Sequence, residues 1–207
     1  MRCYVIGGGP SLKQLTYLDY RDMLESKVVL CNQAFKLFGE DLWQPYLVYL
    51  DPIMETMLNN KTTLWKSRYQ VLSHHYNNTK YKLESNSPII GTLGQSNVGF
   101  GWDKDIIYDG GNAGYLGLGL ASHLDDVTEI VLVGFDISNK NAISGLENYS
   151  GSDRASAEGI HNKKVKDMDN LISLIKLNKP YIQIINLRGS HELNCHTISN
   201  LNQEIKI

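Results

Sequence analysis

The residues best suited to chemistry in this 207-residue chain stand directly behind its apolar runs. Gly7-Gly8-Gly9-Pro10-Ser11 follows MRCYVI, Asn32-Gln33 follows VVLC, and Asp51 closes YLVYL. Further along, Gly110-Gly111-Asn112-Ala113-Gly114 comes just after IIY, and Gly134-Phe135-Asp136 comes after IVLV. Glycine lets a backbone approach a ligand closely, and the N-terminus of a following helix offers free N–H groups and partial positive charge to an anion. A nucleotide phosphate suits that environment. GGGPS is not the GxGxxG dinucleotide fingerprint, and it lacks the lysine of a P-loop. Taken singly, it reads first as a plain strand-to-helix turn, and Asp51 serves equally well as a helix cap. Recurrence at five strand ends is what points to a nucleotide-like ligand.

Other groups carry less. Asp103 and Asp105 in Trp102-Asp103-Lys104-Asp105 have the Asp-x-Asp form that many glycosyltransferases use for a metal, but they are two common residues at a common spacing. His74-His75 reads as a polar strand end. His191, Cys195 and His196 include zinc-ligand types without the second pair a zinc knuckle requires. Arg188-Gly189-Ser190 would bring a guanidinium and a hydroxyl to a carboxylate or phosphate, or form an exposed turn. The twelve tyrosines are scattered and form no basic–aromatic stripe for single-stranded nucleic acid.

The elements that must position these residues alternate. Strands are expected over 1–6, 28–31, 46–50, 71–73, 88–90, 106–108, 130–133 and 182–185. Helices are expected after Ser11 as cap, over 113–124, over 164–177 and over 196–205, with a helical turn at 34–38. Gly114, Gly117 and Gly119 each cost about 1 kcal/mol in a helix relative to alanine, which implies close approach of a neighbouring backbone or ligand. The stretch 77–101 reads as a loop-rich insertion, and 138–158 as a polar, mobile segment. Two strands are apolar throughout, the habit of a parallel sheet covered on both faces. The expected fold is therefore α/β: a single Rossmann-like domain over 1–207, with a mostly parallel open sheet and helices on both faces. In such sheets ligands lie beyond the strand C-termini.

Composition narrows the classes. Apolar residues make up 42% and charged residues 20%, a globular balance, and the net charge of -2 argues against a protein that coats nucleic acid. Nucleic acid is not indicated, although a large acceptor of that kind is not excluded by charge alone. No apolar run approaches the ~20 residues of a membrane-spanning helix, and the N-terminus does not resemble a signal peptide. The odd set Cys3, Cys31 and Cys195 fits reduced thiols in a cytoplasm, so the Asn-x-Ser/Thr triplets at Asn60, Asn77 and Asn148 carry no weight. No redox cofactor is expected.

GGGPSL, CNQ, YLDP, GGNAGYLGLGLA before IVLVGFD, then GIHNK and NLRGSHE follow one another in an order that resembles a known superfamily. It contains the bacterial lipooligosaccharide sialyltransferases, the flagellin-modifying motility accessory factors and the archaeal 6-hydroxymethyl-dihydropterin pyrophosphokinases. The chain is similar to compact members from bacteria and phage genomes. The resemblance implies a nucleotide-activated sugar donor bound at the strand ends and transferred to a hydroxyl acceptor. It implies that Gly8, Gly9, Pro10 and Ser11 line the phosphates and that Asn32 contacts nucleotide or sugar. Asn112, Ala113 and Gly114 would hold the nucleotide, and Gly134, Phe135 and Asp136 would cup base and ribose. His161 matches the general base; an imidazole with pKa near ~6.5 can take a proton from a hydroxyl at neutral pH.

The chain also departs from the sialyltransferases. Gly8 stands where they carry asparagine, and Asp51 stands where they carry another. The tyrosines that assist their leaving phosphate have only Tyr149 as a candidate counterpart. Asp51 resembles the pterin-kinase and motility-factor branch and is a candidate ligand for Mg2+. Two alternatives follow: a magnesium-dependent pyrophosphokinase, and a non-catalytic nucleotide-binding phage accessory protein. Donor base and sugar, acceptor, metal dependence and assembly as a homo-oligomer stay open at the level of sequence.

Overall fold

Cys3, Tyr4, Val5 and Ile6 are all fully buried, so strand β1 (Arg2–Ile6) is covered on both faces. The computed structural model of the chain describes residues 1–34, 42, 45–49, 69–73, 89–93, 99–100, 102–103, 106–108, 110–136, 157–189 and 193–198. The further strands are β2 (Lys27–Cys31), β3 (Tyr46–Tyr49), β4 (Tyr69–Ser73), β5 (Ile89–Leu93), β6 (Trp102–Asp103), β7 (Ile106–Tyr108), β8 (Glu129–Val133), β9 (Gln183–Leu187) and β10 (His196–Ile198). They form one sheet in the order β10-β9-β8-β1-β2-β3-β4-β5-β7-β6. Every described pairing is parallel except β6 with β7. Alternating side chains divide the core. Cys3, Val5, Val29 and Leu132 face helices α2 (Ala113–His123) and α3 (Ala157–Asn178). Tyr4, Ile6, Leu30 and Val133 face Leu12 and Met23, the latter on helix α1 (Tyr17–Leu24). The result is the expected open α/β sheet of Rossmann-like class with helices on both faces.

Several boundaries differ from expectation. Ser11 does not cap a helix: Pro10–Gln14 is a 3₁₀ segment, and α1 starts only after Thr16. The Thr16 Oγ1 accepts from the Asp19 N–H at 3.3 Å, while the Thr16 N–H and hydroxyl both donate to the Asp19 carboxylate at 2.7 Å. This reciprocal capping box ties off two helix-end donors. Thr16→Ala should lower stability by about 1 kcal/mol, read as a reduced urea midpoint at unchanged slope.

The helix expected over 196–205 is not what begins there. His196–Ile198 is β10, paired in parallel with β9, in keeping with the β-branched Thr197 and Ile198. The strand expected over 88–90, inside the loop-rich insertion, is Ile89–Leu93, which forms β5 between β4 and β7. Helix α3 begins at Ala157, seven residues before the expected start. The helical turn expected at 34–38 is described only at its start, where Asn32–Ala34 forms a 3₁₀ turn.

Gly117 of α2 is explained by the sheet. A Cβ on Gly117 would lie 2.7 Å from the Cys31 sulfur and 3.0 Å from Val5 Cγ1. Absence of a side chain there lets α2 settle onto β1 and β2, and residues 113–122 are all buried.

Candidate functional site

The chain leaves β1 toward β2 on one side and returns through α2 to β8 on the other. The C-terminal ends of β1 and β8 thus flank the point where the winding direction reverses, the place where open α/β sheets bind ligands. The turn after β1 meets the turn after β8 there. The Gly7 N–H donates to the Val133 carbonyl at 2.7 Å, and the Gly9 N–H donates to the Gly134 carbonyl at 2.9 Å. The Asp136 carboxylate accepts from the Ser11 N–H at 3.0 Å and from its hydroxyl at 2.8 Å. A Cβ on Gly9 would sit 2.0 Å from that carboxylate, so glycine at this position makes the junction possible. Helix α2 begins beside it: a Cβ on Gly114 would lie 2.7 Å from the Phe135 ring. Asn112 caps α2, its Oδ1 accepting from the Gly114 N–H at 2.8 Å.

Expected site residues from four segments are therefore brought to the strand C-terminal ends, in two layers. Gly7, Ser11, Ala113, Gly114, Gly134 and Phe135 are buried and form the packed floor. Gly8, Gly9, Pro10, Asn32, Asn112 and Asp136 are half-buried and form the rim. Ser11, expected to line phosphate, is 2% exposed and holds Asp136. The N–H groups of Gly7, Gly9 and Ser11, expected to meet an anion, are engaged inside the protein.

Asn32, at the end of β2, has φ 51°, a left-handed conformation that asparagine tolerates better than most residues. Its Oδ1 is buried and, among the described residues, accepts no hydrogen bond. An unmatched buried acceptor costs about 1–3 kcal/mol, which an N–H or O–H donor from a ligand would recover.

Helix α3 connects back to β9 at its C-terminal end, where Ile182 N–H donates to the Lys179 carbonyl and Gln183 N–H to that of Thr128. It therefore runs antiparallel to the strands, and its first turns, which carry His161, lie at the end nearer the strand C-termini. His161 lies within this helix, ahead of the start expected at 164.

Arg188 follows β9 and neither reaches out for an anion nor lies exposed. Its side chain is 9% exposed and its guanidinium donates to Asp19 at 2.7 Å. Burial alone would push the Asp19 carboxyl up, but the Thr16 N–H, the Thr16 hydroxyl and Arg188 outweigh it and hold the group below its ordinary range. The Thr16-x-x-Asp19 spacing signals a capping box in sequence. Nothing local signals the pairing with Arg188, 169 residues away.

Other candidates separate from the site. Cys195 is half-buried and its thiol is pushed up to about 11, chiefly by burial, with Lys176 opposing and Asp169 adding to the rise. Asp103 belongs to β6, at the far edge of the sheet. Asp51, His74, His75, Asp105, Tyr149, Ser190 and His191 lie outside the described residues. Among the described residues, no three His, Cys, Asp or Glu side chains are grouped so as to hold a metal, and no helix is long and apolar enough to cross a membrane.

The fold and the reversal point define an α/β Rossmann-like protein whose turns after β1 and β8 meet at its strand ends. Among solved structures the chain is similar to that of the MAf glycosyltransferase from Magnetospirillum magneticum AMB-1, with a TM-score of 0.57 and 13% identity. The match covers 100% of this chain and 34% of that one, so this chain spans about a third of the larger protein. At that identity the likeness is one of fold. No protein-family model matches the chain, and no curated protein matches it.

Proposed function

We propose that this protein is a glycosyltransferase-like enzyme that binds a nucleotide-activated sugar at the strand C-terminal ends and passes the sugar to a hydroxyl acceptor. The observation that carries this reading is the meeting of the turns after β1 and β8 with the start of α2 at the reversal point of the sheet. The fold likeness to a MAf glycosyltransferase supports it. In this reading the floor fixes the backbone of the rim. Gly8, Gly9 and Pro10 approach the phosphates, and α2 turns its N-terminus toward them. Asn32 Oδ1 accepts a donor from base or sugar, and Asp136 accepts ribose hydroxyls. His161 removes the acceptor proton as general base while the leaving nucleotide departs with the phosphate charge. Asp51 is the residue proposed to hold Mg2+ should the phosphates require one.

The test has two arms. Thermal shift with CMP, CDP, UDP, GDP, ADP and ATP, each with and without magnesium, should raise the melting temperature for at least one nucleotide, because a ligand of the native state stabilises it by mass action. Incubation with the matching labelled nucleotide sugar should release free nucleoside phosphate. His161→Ala should reduce turnover by about 100-fold or more while leaving the thermal shift in place. No shift with any nucleotide refutes the reading; unaltered turnover in the variant removes His161 from its role. Stable intact binding without turnover means a nucleotide-binding module instead.

A further inference from the structure

Between β1 and α1 the chain makes one wound excursion, from Gly7 through the 3₁₀ segment to Thr16. Its entry is held by β8, through Val133, Gly134 and Asp136. Its exit is held by the residue following β9. Asp19 Oδ2 accepts from the Arg188 guanidinium, the Thr16 N–H and the Thr16 hydroxyl, each at 2.7 Å. Between the two anchors, Leu12 N–H donates to Gly9 and Leu15 N–H to Leu12, both at 3.2 Å. Displacement of Thr16 is thereby transmitted back to Gly9. Arg188 keeps φ 54°, a conformation unfavourable for a residue with a side chain, directly before a glycine that would adopt it at little cost. The strain is retained at the residue whose guanidinium reaches Asp19.

We propose that the Asp19–Arg188 pair is a positioning element for the glycine turn: it sets where Gly8 and Gly9 present themselves at the strand C-terminal ends without touching a ligand itself. The positioning of the turn stands on the hydrogen bonds above, and its consequence for ligand binding rests on the nucleotide reading given under the proposed function.

Amide hydrogen exchange on the full chain tests it. In Arg188→Gln, exchange at Gly9 and Ser11 should accelerate about tenfold or more relative to the change at Val5 and Leu132, because local opening is governed separately from global unfolding. An equal acceleration at all four amides would make the pair a general stabiliser and overturn the proposal, as would no change at Gly9 and Ser11. Should Arg188→Gln not fold, Thr16→Ala, altered at an exposed position, should show the same pattern with a smaller ratio, and its absence is equally fatal. The nucleotide giving the largest thermal shift with the wild type should bind Arg188→Gln about tenfold or more weakly. Unchanged affinity overturns the positioning role, whereas a wild type that binds no nucleotide ends only the nucleotide reading and leaves the exchange ratio to decide.

Discussion

Asp19→Ala should destabilise the protein by about 3–5 kcal/mol, the range for breaking a buried ion pair from one side. The aspartate is 2% exposed and has three donors directed at one oxygen. Its loss takes a buried carboxylate away from the Arg188 guanidinium, which is 9% exposed on its side-chain atoms. The measure is the change in urea midpoint at constant slope, and a loss below about 1 kcal/mol would place the pair with weak surface bridges. Removing both partners, as Asp19→Ala with Arg188→Met, should cost less than the sum of the single changes, because the two residues meet in one contact that each single change already breaks. The direction of the Asp19 shift also fixes a pH dependence. A carboxyl held below its unfolded value of about 3.9 contributes stability in full above that pH and loses it as pH falls through the lower folded value. Asp19→Asn should therefore be less stable near neutrality and lose less of its remaining stability than the wild type on acidification below about pH 4.

The second large effect is expected at Gly134→Ala. Gly134 has φ 72°, in the left-handed region where a side chain costs about 1–2 kcal/mol. The added Cβ would also lie 2.9 Å from Leu12 Cγ and 3.1 Å from both the Gly7 carbonyl oxygen and the Gly9 nitrogen. Two of those neighbours are backbone held by hydrogen bonds, so the turn after β1 must move. Overpacking of this kind adds about 1–3 kcal/mol, for a combined loss of roughly 2–5 kcal/mol in chemical denaturation. A variant as stable as wild type would show that the two turns are not locked together.

The central sheet was legible because VVLC and IVLV are apolar without alternation, which only burial on both faces explains. The gathering of Gly9, Asn112 and Gly134 followed from one rule, that parallel strands deliver their C-terminal ends to one edge. What sequence could not convey was the internal use of the turn's donors. Glycines free to meet an anion and glycines needed to let Asp136 reach Ser11 look the same in one dimension. Edge elements were hard for another reason: Trp102–Asp103 is a two-residue strand, and His196–Ile198 sits in a polar stretch whose apolar spacing imitates a helix. Thr16 was readable as a cap from its spacing to Asp19, but Ser11, directly after the proline, presented the more obvious signal. The bond from Arg188 to Asp19 is purely tertiary.

The contact between Gly9 and Asp136 also constrains how the molecule can vary. Because the carboxylate occupies the volume a methyl group at 9 would need, the two positions form a single unit of inheritance. Shortening 136 releases Ser11 and still leaves the Gly134 carbonyl oxygen 2.6 Å from a Cβ at 9, so a larger residue there also needs the turn after β8 to move. Substitutions here should show strong epistasis.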